Sequence, residues 1–161
     1  MKTFLILGAA LSMAAGCIPN PDRCGPSEGV VARVLDGDTI ELESGETIRY
    51  LMVDTPEISH NSSEVAECFA DEAKQFNEDL VAGQTVSLVY DSECTDRFDR
   101  LLAYVSIGDR EINTLLVERG FACVLHIPPN GADRRTEFQT LENLAEQEDR
   151  GLWGACESNP C

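Results

Sequence analysis

Thr47-Ile48-Arg49-Tyr50-Leu51-Met52-Val53-Asp54-Thr55-Pro56-Glu57 is an apolar run that ends on two carboxylates. The β-branched and aromatic residues from Thr47 to Val53 predict a strand, and Pro56 fixes φ so that Asp54 and Glu57 leave its end in a defined direction. Toward the N-terminus, Val30 to Leu35 and Thr39 to Glu43 are two more β-rich runs. A Ser44-Gly45-Glu46 turn joins the second of these to the quoted strand, which gives a three-stranded meander. Asp36-Gly37-Asp38-Thr39 stands at the break between the first two strands, where the glycine is expected to let the backbone turn. Two acidic loops at strand ends can converge on one hard cation, whose ligands are oxygens. Taken singly, each loop also reads as an ordinary solvated turn.

Downstream, Val65, Phe69, Ala73, Phe76 and Leu80 recur at helical spacing, with Gly83 placed to end the helix. Two further strands are predicted over Thr85 to Tyr90 and Leu101 to Ile107. A short helix carries Ile112, Leu115 and Leu116 on one side and stops at Gly120. A last helix runs from about Asp133 to Asp149, with Phe138, Leu141 and Leu144 on one face, Gly151 at its end and Trp153 just beyond. Strands grouped three and two with helices interleaved make an α+β fold, and periodicity alone goes no further.

The chain has 161 residues, of which 43% are hydrophobic, enough for one compact core. Residues 1–16 read as a signal peptide, with Lys2 as its positive region and Phe4 to Ala15 as an apolar stretch too short to span a bilayer. Ala14-Ala15-Gly16-Cys17 is similar to a lipoprotein cleavage site, although a larger aliphatic residue is usual at the position of Ala14. Cys17 is then the lipidated residue, and its acyl chains would hold the exported protein in the cell envelope, in the periplasm or at the cell surface. Residues 17–28, with Pro19, Pro21, Gly25 and Pro26, read as a tether. Setting Cys17 aside leaves six of the seven cysteines, an even number suited to disulfides in an oxidising compartment. No C-x-x-C spacing occurs and there are only two histidines, so a structural zinc site is excluded.

Twelve basic residues against 29 acidic ones give a net charge of −17, the opposite of the basic footprint that phosphate binding usually leaves. An EF-hand is excluded because Ile40 and Glu41 stand where an oxygen ligand and a glycine are required. No Ser-His-Asp order and no phosphate-binding glycine loop is present either.

Three stretches in order nevertheless resemble the staphylococcal nuclease family: Val34 to Thr39, Arg49 to Glu57, and Asp96-Arg97-Phe98-Asp99-Arg100 running on to Val105. Ile112 to Gly120 and the terminal Gly151-Leu152-Trp153 extend the resemblance over about residues 29 to 155. The domain is accordingly placed at 29–156, with a tail at 157–161. The resemblance implies a five-stranded OB-fold β-barrel with three helices. It also implies a Ca²⁺-dependent nuclease, monomeric, acting on DNA and RNA and leaving 3′-phosphate ends. Asp38, Asp54 and the Thr55 carbonyl are the implied calcium ligands, and Asp36 an acid behind them. Glu57 is the implied general base, and Arg49 and Arg100 the guanidiniums on the scissile phosphate.

The chain also departs from the family pattern. Ile58 to Glu64 is neutral to acidic where the archetype has a lysine-rich loop, and Asp99 replaces a usual glycine. Two nucleotide-stacking tyrosines have no clear match in Leu125-His126-Ile127-Pro128-Pro129. Arg97 and His126 are the remaining candidates for contact with substrate. The assumed fold suggests disulfides Cys68–Cys94, Cys123–Cys156 and Cys24–Cys161. The competing expectation is a catalytically weak or inactive OB-fold that binds nucleic acid or protein in the envelope. A third is an envelope lipoprotein that binds calcium without cleaving phosphodiesters.

Overall fold

The computed structural model describes residues 24–59 and 65–158. The signal peptide, Cys17, most of the tether, His60 and Cys161 lie outside the described residues. Eight strands and four helices follow one another: β1 (Glu28–Asp36), β2 (Thr39–Leu42), β3 (Thr47–Tyr50), β4 (Met52–Asp54), α1 (Ala70–Val81), β5 (Thr85–Thr95), β6 (Leu101–Ile107), β7 (Arg110–Glu111), α2 (Ile112–Glu118), β8 (Cys123–Leu125), α3 (Arg135–Gln147) and α4 (Leu152–Ala155).

The main sheet runs β3-β2-β1-β5-β6-β7, and β3 also pairs with β6 in parallel, Ile48 opposite Leu101 and Tyr50 opposite Ala103. The pairings of β1, β2, β3, β6 and β5 therefore form a ring, the arrangement expected of an OB-fold. Alternation fills its interior: Ile40 and Leu42, Ile48 and Tyr50, Val86 and Leu88, Ala103 and Val105 are all buried. Val31 and Val34 are also buried although they are three residues apart. A register irregularity in the β1–β2 pairing between Val31 and Arg33 inserts the extra residue that brings both to the same face. The Ser44-Gly45-Glu46 turn forms as expected, closed by Leu42 N–H to Glu46 O at 2.9 Å with Gly45 at φ 100°.

The quoted apolar run is two strands and not one. Leu51 interrupts it and Met52 takes φ 67°, so β3 joins the ring while β4 turns away to pair antiparallel with β8. Asn113 on α2 fixes this break. It is fully buried, accepts from Val105 N–H (2.9 Å) and donates to Leu51 O (2.8 Å) and Ala103 O (3.3 Å).

Helix α1 begins later than its apolar spacing predicts. Val65 is 94% exposed, and Phe69 precedes the helix with φ 73°, its ring 5.3 Å from that of Phe121. The expected last helix is α3 alone, and a short α4 carries Trp153. Its buried face is Phe138 and Ala145 with Leu141 half-buried, and Leu144 is exposed. Gly120 and Gly151 do more than end helices: a Cβ on Gly151 would lie 2.1 Å from Gly120 O, so both are required by a close backbone approach.

The disulfides correct all three suggested pairings. Cys24 bonds Cys94, with Cα atoms 5.0 Å apart, and Cys68 bonds Cys156 at 5.9 Å. Cys123 is disulfide-bonded as well, to neither Cys156 nor any other described cysteine. The reason is the length of β5, which runs to Thr95 and carries Cys94 to the segment where the domain begins. There Leu88 N–H binds Ser27 O (2.8 Å) and the Tyr90 hydroxyl binds Pro26 O (2.7 Å). Cys68, left outside α1, faces the chain leaving α4.

Asn113→Ala is expected to strand the Val105 N–H and the Leu51 carbonyl, the Ala103 carbonyl keeping the Leu51 N–H, and to lower unfolding free energy by about 2 kcal/mol, read from urea denaturation; a loss below about 1 kcal/mol would show that the β3–β4 break holds without it.

Candidate active site

The turn between β1 and β2, the end of β4 and the loop between β5 and β6 bring the expected residues together. Gly37 is needed here for space: a Cβ on it would lie 2.7 Å from Thr55 Oγ1, and its φ is not positive. Because it lacks a side chain, Thr55 packs directly onto the Asp36–Asp38 turn. Asp38 is 5% exposed, and both of its oxygens are engaged. Oδ2 accepts Thr55 N–H (2.9 Å) and Oγ1–H (3.1 Å), and Oδ1 accepts the Thr39 hydroxyl (2.9 Å) and lies 3.1 Å from Arg49 Nε.

Arg49 leaves β3 with its side chain 12% exposed. Its guanidinium donates to Tyr50 O (2.7 Å), Val53 O (2.6 Å) and Asp54 Oδ1 (2.8 Å) as well as pairing with Asp38. Three of its five N–H groups donate to protein acceptors and Nε lies against Asp38, so the protein itself orients the fork.

The acids around it repel one another. Burial pushes the Asp36 carboxyl up to about 6; a hydrogen bond from Gly37 N–H opposes this, and the negative Asp38 and Glu57, the latter also in hydrogen-bond contact, add to it. Asp54 is likewise raised by burial, held down by Arg49 and raised further by Asp38, Glu57 and Glu67.

No group of three or more histidine, cysteine or carboxylate side chains among the described residues is already gathered round one point. The set implied for calcium needs only two carboxylates and a carbonyl. Asp38 and Asp54 meet on a single guanidinium, the candidate ligands are all oxygens, and burial, with repulsion from Asp38, Glu57 and Glu67 added, already disfavours the ionised form of Asp54. That chemistry fits a hard dication and not a soft one.

Across a cleft of about 520 Å³ stands Arg100, with Arg49, Arg97, Phe98, Leu125 and Ile127 also lining it. Asp96 holds Arg100: Oδ2 accepts Nε–H at 2.7 Å and forms an ion pair with Nη2 at the same distance, and Oδ1 accepts Phe98 N–H (2.9 Å) and Arg100 N–H (3.0 Å). These bonds keep the Asp96 carboxyl below the usual carboxylate range against the effect of burial. Asp99, in place of a glycine, is forced to φ 62° in this loop. Arg97 and Arg100 lie 4.6 Å and 5.5 Å from the centre of the Phe98 ring, which is 63% exposed.

The cleft wall opposite is Leu125 and Ile127, with Ile127 64% exposed. The half-buried His126 between them does not line the cleft, and its Nε2 is buried without a hydrogen-bond partner. Sequence reasoning passed over Phe98, whose one signal is an aromatic between arginines, and Asn130. The latter exchanges hydrogen bonds with Glu93 N–H and O (2.8 and 3.0 Å), fixing the far wall to β5.

The model of the staphylococcal nuclease homologue family matches residues 47–155, which include Arg49, Asp54, Glu57 and Arg100. The chain belongs to the staphylococcal nuclease family. It is 33% identical over 127 residues to the thermonuclease of Staphylococcus intermedius, covering 77% of this chain and 74% of that one. An uncharacterized endonuclease of Escherichia coli O157:H7 is 31% identical over 144 residues, 87% of this chain and 86% of that one. Endonuclease YncB of Bacillus subtilis (strain 168) is 30% identical over 125 residues, 75% of this chain but 59% of its own length. The family match begins after Asp36 and Asp38, so those two rest on the geometry described above.

In the absence of divalent ions, Asp36 makes stability fall as pH rises. Its folded-state value, about 6, exceeds the ordinary 3.8, so between these values the unfolded chain ionises while the folded one keeps its proton. Urea midpoints measured from pH 4 to 7 are expected to decline, and Asp36→Asn to flatten the decline, with Asp54 supplying what remains. An unchanged slope in the variant would overturn the assignment.

Proposed function

We propose that the protein is a calcium-dependent nuclease hydrolysing DNA and RNA to 3′-phosphate products. The observation that carries this reading is the facing pair Arg49 and Arg100 across one cleft, with the acids of both strand-end loops beside Arg49. A phosphodiester gathers negative charge on its non-bridging oxygens as water attacks, and two planar, permanently charged forks suit that charge. Arg49 is held by three hydrogen bonds and an ion pair to Asp38, so it orients. Arg100 gives its Nε–H to Asp96 and holds Nη2 beside the same oxygen, which leaves Nη1 for the phosphate.

Glu57, exposed after Thr55-Pro56 and in contact with Asp36, takes the proton from the attacking water. Asp38, Asp54 and the Thr55 carbonyl would hold calcium, which supplies charge stabilisation to the phosphate oxygens when bound. Phe98 offers a base a stacking face, and Arg97, which makes no ion pair among the described residues, draws in the strand.

The working place of the enzyme is the cell envelope, to which Cys17 attaches it through lipid. No helix among the described residues is long and apolar enough to cross a membrane. The domain acts as a monomer.

Release of acid-soluble nucleotides from single-stranded DNA is expected with Ca²⁺ and not with EGTA. Glu57→Ser and Arg100→Ala are each expected to lower the rate about a hundredfold or more. A folded protein inactive at every calcium and salt concentration would leave the binding-module reading. Cys17→Ser is expected to move the expressed protein from the detergent phase to the aqueous phase on Triton X-114 partition; an unchanged partition would remove the anchor.

A further inference from the structure

The loop that leaves Glu57 returns to it. Glu57 N–H donates to Glu67 Oε2 at 2.8 Å, ten residues on, and Glu67 N–H donates to Glu57 O at 3.0 Å. The two residues thus close the neck of the loop with reciprocal bonds, neither of which uses the Glu57 carboxylate.

Each side of this neck is anchored differently. Before it, Thr55 and Pro56 are buried against the Asp36–Asp38 turn. After it, Cys68 is bonded to Cys156, Glu67 O accepts Ala70 N–H (3.2 Å), and Phe69 packs on Phe121. Glu57 itself is exposed, so packing does not fix its backbone. The peptide that carries the reacting carboxylate is held from one side by the buried turn. From the other side it is held by a bond to a side chain whose next residue is cross-linked to the body of the domain.

We propose that Glu67 is a positioning residue for Glu57, with the Cys68–Cys156 disulfide as its anchor. The proposal rests on the nuclease reading of Glu57. A general base acts only within hydrogen-bond reach of the water it deprotonates, and a displacement of about 1 Å can cost on the order of a hundredfold in rate. Glu67 touches neither substrate nor water in this account. It sets where the Glu57 peptide lies, so its loss lowers turnover more than substrate affinity, which the arginines across the cleft supply. A glutamine at 67 keeps an oxygen acceptor for the same N–H, whereas an alanine removes it.

The test uses the oxidised full-length protein with Glu67→Ala and Glu67→Gln, at a temperature where urea curves show all three folded. Steady-state cleavage of single-stranded DNA and hydrogen exchange of the Glu57 amide are measured together. Glu67→Ala is expected to lower kcat about tenfold with KM within about twofold, and to speed exchange at Glu57. Glu67→Gln is expected to recover most of both. The proposal is overturned if Ala leaves kcat and exchange unchanged, or if Gln is as damaging as Ala. A folded wild type without activity would end the nuclease reading instead, and unprotected Glu57 in that protein would end the clamp as well.

Discussion

The buried carboxylate of Asp38 is the constraint on which the site depends. A charge at 5% exposure is tolerated only when its lone pairs are taken up, and Asp38 recruits partners from three segments to do so: Thr39 beside it, Arg49 on β3 and Thr55 after β4. Those bonds decide where the other groups go. Thr55 can reach Asp38 only because Gly37 has no side chain, and the contact sets the direction in which Pro56 and Glu57 leave the sheet. Arg49, drawn to Asp38, is brought within 2.8 Å of Asp54. One buried acid therefore aligns the proposed metal ligands, one of the two proposed phosphate arginines and the proposed general base.

The fold supplies that acid with its neighbours through an interruption. If Thr47 to Val53 were one strand, Asp54 would continue along the ring away from the β1–β2 turn. The left-handed residue Met52 breaks it, and Asn113 satisfies the carbonyls exposed by the break. This step was hidden in the sequence, because Met and Asn carry no turn signal there and the apolar pattern runs straight through. The strands of the ring and the hairpin at Gly45 were legible, and so was the placing of Asp36 and Asp54 at strand ends, since alternation and turn residues are local features. The disulfides were not legible. Pairing depends on where Cys68 and Cys94 end up, which follows from the late start of α1 and the long reach of β5, neither of them encoded by apolar spacing alone. The stacking role sought at His126 has a similar explanation: which of three consecutive residues faces the cleft is set by β8 and the Asn130 contacts to β5, and these present Leu125 and Ile127.

The net charge of −17 is compatible with an anionic substrate because of where the arginines are spent. Arg33 pairs with Glu41, Arg134 with Glu111 and Glu137, and Arg150 with Glu118 and Glu148, all away from the cleft. The cleft itself holds Arg49, Arg97 and Arg100. At physiological salt the field of the remote acids is screened over about 8 Å, while groups that touch the phosphate act over less than half that distance. The body of the protein would slow the approach of a polyanion, and the three arginines would act on it at contact. On the calcium reading a dication would act twice: it would screen the long-range repulsion, and beside Asp36 and Asp54 it would oppose the effect of burial, to which neighbouring carboxylates add, in raising those two acids. On the calcium reading proposed above, metal binding and nucleic-acid binding would be coupled through charge, and the acidity that argues against a nucleic-acid partner in the sequence would favour a site that takes a metal.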